Sequence, residues 1–206
     1  LNEYTYWWEK YDPTRTKNIL VGAIQTSRKV NGIYTESQVS RYKNWNASLI
    51  SSTVPGTYDS YVWKGTGALP DAFADWDVAT TTPPPNYWQY GGKVVSKDDY
   101  TGIVYESSAK GDIVSSTIYD QYKIRPLAVV GNASYNQVAY AGFEDTSQGN
   151  WSWSDGVLTT GSSKTGSRYL SLGNTGLTKS GLTTSQKYLI SFWAKSSSGS
   201  ITIDGV

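Results

Sequence analysis

The chain has 206 residues, and 18 Lys+Arg against 17 Asp+Glu leave a formal charge of +1. That length holds one large β domain, or one domain plus part of another. The near-neutral balance without a basic block argues against nucleic acid or an anionic membrane as an obligatory partner. No apolar run reaches the roughly 18 residues a membrane span needs, so no membrane insertion is expected, and the start lacks the basic-then-apolar layout of a signal peptide.

The chain contains no His, no Cys and no Met. Without imidazole or thiol it cannot build a Ser-His-Asp or Cys-His nucleophile pair, or ordinary His/Cys zinc, haem or iron–sulfur sites. A carboxylate pair, Ser-Lys chemistry or an oxygen-ligated metal are the enzymatic routes left open. Opening at Leu1 rather than Met, the sequence reads as a processed product or a piece of something longer. Nine Trp and 17 Tyr against three Phe favour rings that carry a polar edge. With 27 Ser, 22 Thr and 20 Gly, the composition suits many short strands joined by tight turns. The expected class is all-β.

In chain order, Ile19–Ile24 is a short apolar run fit for a buried strand. Tyr34–Tyr42 is polar with aromatic flanks, like an exposed strand. Strands over Tyr58–Trp63, Lys93–Lys97, Ile103–Ser107 and Ser115–Tyr119 are each bounded by turn residues. Pro70 and Asp71–Trp76 form the one candidate helical turn, and the Pro83-Pro84-Pro85 run marks a loop. Leu127–Val130 and Val138–Phe143 read as strands covered on both faces. An internal echo links Gly32-Ile33-Tyr34-Thr35-Glu36-Ser37 to Gly102-Ile103-Val104-Tyr105-Glu106-Ser107, and Val39-Ser40-Arg41 to Val95-Ser96-Lys97, without a fixed period.

Composition changes near residue 141. From Gly142 onward the chain alternates Ser/Thr/Gly with apolar residues in Arg168–Leu172, Tyr188–Lys195 and Ile201–Ile203. The stretch from Gly142 onward supplies about five strands where a jelly roll needs about eight. The domains expected are therefore 1–140, a β-rich region, and 141–206, a β-sandwich completed by further chain.

Residues Tyr100–Glu106, Gly111–Tyr119 and Arg125–Ala133 (RPLAVVGNA) resemble the Rhs/YD-repeat-like regions of large secreted bacterial surface proteins. Phe143-Glu144, Trp151, Thr165-Gly166, Tyr169–Leu172 and Tyr188–Lys195 are similar to the first half of a carbohydrate-binding-module-like jelly roll. The fold this implies is an irregular antiparallel β-hairpin (YD-like) region followed by a partial jelly-roll β-sandwich. The role implied is that of a non-catalytic segment of a large exported protein, secreted or at the cell surface. It would act as an adhesin or in display, with a polysaccharide or surface glycan and other parts of the same protein as partners. An accessory module of a polysaccharide-degrading enzyme, its catalytic domain outside this chain, and a purely architectural spacer are the alternatives.

By that resemblance Glu144 ligates a structural Ca²⁺, with carbonyls near Lys164–Gly166, hard oxygen ligands being what the ion takes. Trp151, Trp153 and Trp193 are the glycan-stacking candidates, since indole faces match the C–H faces of sugars. Trp151 and Trp153, two apart, share one face of a strand. In a regular strand Trp193 faces away from Ile190, Phe192 and Ala194. One of those faces is core, and sequence alone leaves open which. Core packing of all three indoles is the competing reading. The acid pairs Asp75/Asp77 and Asp98/Asp99 read as solvated loop residues. Ser40-Arg41-Tyr42-Lys43 and Ser107-Ser108-Ala109-Lys110 match Ser-x-x-Lys in strand or turn context, where the helix that motif needs is missing. Asn46, Asn132 and Asn150 head glycosylation-type triplets that read as turns.

Overall fold

The computed structural model describes residues 1–6, 23–43, 56–69, 88–98, 101–172, 176–195 and 202–203. The fold is all-β: the described residues form ten strands and a single 3₁₀ turn, with no α-helix. No helix among them is long and apolar enough to cross a membrane. The chain divides into two compact units, Leu1–Ser115 and Ser116–Val206. The composition change near residue 141 falls inside the second of these.

The first unit is a meander. Strands β1 (Asn2–Tyr6), β2 (Ala23–Val30), β3 (Ile33–Lys43), β4 (Gly56–Gly67), β5 (Gln89–Lys97) and β6 (Val104–Ala109) follow one another as antiparallel neighbours. Asn31 and Gly32, both at positive φ (50° and 80°), make the two-residue β2–β3 turn, the conformation whose twist matches that of the flanking strands. Because side chains alternate along a strand, Ser37, Val39 and Arg41 on β3 share a buried face with Asp59, Tyr61 and Trp63 on β4. The register sets Ser37 opposite Trp63, Val39 opposite Tyr61 and Arg41 opposite Asp59. Val39, Tyr61, Trp63 and Trp88 form the core cluster, with Tyr34, Leu69 and Tyr90 packed against it.

Much of that buried face is polar, and the polar side chains of Gln25, Ser27, Ser37, Arg41 and Asp59 bond one another in two groups. Gln25 Nε2 donates to Ser37 Oγ (3.1 Å), and the Ser27 and Ser37 hydroxyls are 2.8 Å apart. Arg41 Nε donates to Asp59 Oδ1 at 2.6 Å while Arg41 Nη2 bonds Asp59 Oδ2, a bidentate pair with both side chains at least 95% buried. Arg41 Nη2 also donates to the Tyr61 hydroxyl (3.1 Å).

Two turns, one in each unit, are closed in the same way by a buried aspartate. After β5, Asp98 N–H donates to Ile103 O (2.7 Å), and Asp98 Oδ1 accepts from Thr101 N–H (2.7 Å) and Thr101 Oγ1 (2.9 Å). After β7 (Val114–Tyr119), Asp120 N–H donates to Arg125 O (3.0 Å), and Asp120 Oδ1 accepts from Ile124 N–H (2.8 Å). Gly102 (φ 74°) and Lys123 (φ 58°) supply the left-handed residue of each turn. In the second unit β7 neighbours β8 (Pro126–Gly131), the 3₁₀ turn η1 covers Tyr135–Gln137, and β9 (Val157–Thr160) pairs antiparallel with β10 (Arg168–Ser171).

Several expected strands take other forms. Leu127–Val130 lies within β8, but Val129 is exposed, so the strand is not covered on both faces. Val138–Phe143 is not a strand. Asn150 Nδ2 bonds the carbonyls of Tyr135 (2.9 Å) and Val138 (3.0 Å), and Phe143 takes a left-handed φ of 61°. Tyr188–Lys195 is likewise irregular, with Ile190, Phe192 and Trp193 all exposed, so neither side of that segment is core. The echo also splits. Gly32 and Gly102 both lead into strands, but Val39 is buried and its counterpart Val95 exposed. Residues 70–87, with the candidate helical turn, Asp75/Asp77 and the proline run, lie outside the described residues, as do Asp99, Asn46 and residues 19–22.

Candidate functional site

Glu144 reaches across to the entry of β10. Its Oε1 accepts the N–H groups of Ser167 (2.9 Å) and Arg168 (3.0 Å), its Oε2 accepts from Ser167 Oγ (2.7 Å), and Arg168 Nη1 donates back to its carbonyl (3.2 Å). The Ser167 hydroxyl and then the two amides hold this carboxyl below the usual carboxylate range. Gly166, at φ 72°, is packed so closely that a Cβ there would collide with the Glu144 carboxylate. The 164–166 segment therefore does meet Glu144. What faces the carboxylate, however, is a set of donors, whereas calcium takes six to eight oxygens. The Gly166 carbonyl is also engaged, accepting from Ser163 Oγ at 2.8 Å. These residues do not fit a calcium shell. They fit a clamp in which a carboxylate ties two loops together.

The three indoles have different surroundings. Trp151 and Trp153 flank Ser152, which pairs with Thr178 through two 2.8 Å backbone bonds. Both indoles are half-buried while Ser152 between them is exposed. Trp153 meets Phe143 edge-on at 6.0 Å, a geometry aromatic quadrupoles favour. Trp193 is 73% exposed. The Lys164 ammonium stands 5.0 Å from its ring centroid, a cation–π contact that orients the indole without covering it.

A fourth feature went unread in the sequence. Asn132, Ala133, Gln137, Gln186, Lys187 and Tyr188 line an open depression of about 380 Å³ in the second unit. Gln137 is fixed from both sides: its Oε1 accepts Ser134 N–H (3.1 Å) and its Nε2 donates to Gln186 Oε1 (2.6 Å). The Tyr188 hydroxyl accepts Thr183 N–H (2.9 Å) and donates to the same Gln186 oxygen (3.1 Å). Lys179 Nζ, bonded to Asn136 O (2.7 Å), braces the η1 side. Only the Asn-Ala-Ser triplet at 132–134 was visible beforehand, and it read as a turn. Asn132 and Asn150 do both take left-handed φ, 60° and 69°.

The buried carboxylates described here all have structural partners. Asp59 is held by Arg41, Asp120 closes its turn with help from Arg125 Nε (3.2 Å), and Asp98 closes its own turn and accepts from Tyr105 OH (3.0 Å). Ser40 and Lys43 both lie on the strand β3, and Ser107 lies on β6 with Lys110 in the turn after it, so neither Ser-x-x-Lys match has the helix that motif needs. No protein-family model matches the chain, and neither the curated proteins nor the solved structures contain a match.

Proposed function

We propose that the chain is a non-catalytic segment of a large exported bacterial cell-surface protein, serving adhesion or display, with glycan contact through its second unit. The observation that carries the glycan part is Trp193: an indole left largely open to water, oriented by a lysine, offers a flat apolar face to the C–H face of a sugar ring. The non-catalytic part is supported by the buried acids, since a carboxylate closing a turn or paired with arginine is not placed to move protons for a substrate.

Retention of the chain on a panel of immobilised polysaccharides tests the reading. The chain should be retained by at least one of them. Trp193→Ala should weaken that retention about tenfold, near the most a single aromatic contact supplies. Trp153→Ala should act on stability, through the lost Phe143 contact. Failure of every glycan to retain a folded chain would leave the architectural spacer as the role.

A further inference from the structure

We infer that the depression lined by Asn132, Gln137, Gln186, Lys187 and Tyr188 is a subsite for a sugar residue carrying an anionic substituent, a carboxylate or a sulfate ester. This rests on the glycan reading above and deepens it. The volume, about 380 Å³, lies at the small end of the roughly 300–1,000 Å³ of small-molecule sites. Three side-chain amides line it, and an amide both donates and accepts, as a sugar hydroxyl does. Two of them are held in place beforehand. The Gln137–Gln186 bond and the Tyr188 hydroxyl both converge on Gln186 Oε1, which leaves the two N–H donors of Gln186 for a ligand. Such fixing before binding lowers the ordering cost of association.

Charge then selects among sugars. Among the described residues lining the depression, Lys187 is the one basic side chain and none is acidic. Lysine is a compact point charge suited to an anionic oxygen. Because the whole chain carries a formal charge of only +1, it has no broad basic field to retain polyanions on its own. Selectivity for them has to come from a local site.

The test is affinity electrophoresis through gels containing dextran, alginate or dextran sulfate, which present neutral, carboxylated and sulfated sugars. Retardation should be strongest in one or both anionic gels, and which of the two names the substituent. Lys187→Gln, at an exposed position, should weaken that retardation at least tenfold, the scale of a charge-assisted hydrogen bond. Asn132→Gly removes the amide while keeping the left-handed backbone, and should weaken it as well. Lys110→Gln, at an exposed lysine of the first unit, should leave it unchanged. Equal retardation in neutral and anionic gels, indifference to both Lys187→Gln and Asn132→Gly, or equal sensitivity to Lys110→Gln would overturn the subsite while the glycan reading stood. Absence of retardation for the folded chain in these gels and on the whole polysaccharide panel would overturn both.

Discussion

Arg41, Asp59 and Tyr61 show how a few side chains decide local energetics. Two charges removed from water cost several kcal/mol each unless their geometry and hydrogen bonds compensate. Here the fork of Arg41 meets both carboxylate oxygens and the Tyr61 hydroxyl. Burial opposes the Arg41 charge, but the hydrogen bond and attraction from Asp59 outweigh it, and its pKa is raised. Asp59→Ala should therefore cost about 3–5 kcal/mol in urea unfolding, because it strands a buried guanidinium. Exchanging both partners for Met and Leu should come within about 1–2 kcal/mol of the parent. A small effect of Asp59→Ala would show that the pair is solvated. Burial, then the Asp59 carboxylate, push the Tyr61 phenol up to about 12. Its folded pKa lies above its unfolded value near 10, so the proton is held more tightly in the fold. That stability is complete below pH 10 and fades as pH rises towards 12. Tyr61→Phe should remove this alkaline slope, about 3 kcal/mol in extent, from unfolding measured across that window.

The amide of Ile124 above all, then the amide and guanidinium of Arg125, hold the Asp120 carboxyl below the ordinary range, so its contribution is present at neutral pH and lost as pH falls through that lowered value. Asp120→Asn should flatten the acid limb of stability and speed amide exchange in β7 and β8, while β5 and β6 keep their protection. The Glu144 clamp yields another expectation. Glu144→Ala, or Gly166→Ala through its collision, should lower the melting temperature of the second unit, and chelators should leave it unchanged. A drop on chelation would restore calcium to Glu144.

Legibility in the sequence followed the same level. Hairpins with their partner close in sequence were readable: β3, β4, β5 and β7 lie within a few residues of the runs that suggested them, since alternation and turn chemistry are local signals. Val138–Phe143 was not, because Asn150, a residue downstream, takes the Val138 carbonyl that a ladder would use. Tyr188–Lys195 has strand-like composition, but composition cannot supply a partner strand. At the site, Glu144 and its 164–166 neighbour were foreseeable, but the donors facing the carboxylate were not, because a backbone N–H has no sequence signature. The depression beside η1 was invisible, being assembled from residues some fifty positions apart.

For the whole molecule, composition limits what pH can do. With no histidine, no side chain has an unperturbed pKa between 5 and 8. The lowered carboxyls of Glu3, Asp120 and Glu144 act in acid, and the raised phenol of Tyr61 acts in alkali. Unfolding midpoints should accordingly be flat from about pH 6 to 9, with losses on both sides. The proposed role divides the residues in the same way: the described buried acids serve the fold, and glycan contact is assigned to exposed rings, amides and Lys187. The most direct test of that division is to incubate the folded chain with whichever polysaccharide retains it and follow reducing-end release over time. Retention without release above the blank is the predicted result. Release that rises in proportion to chain concentration would contradict it.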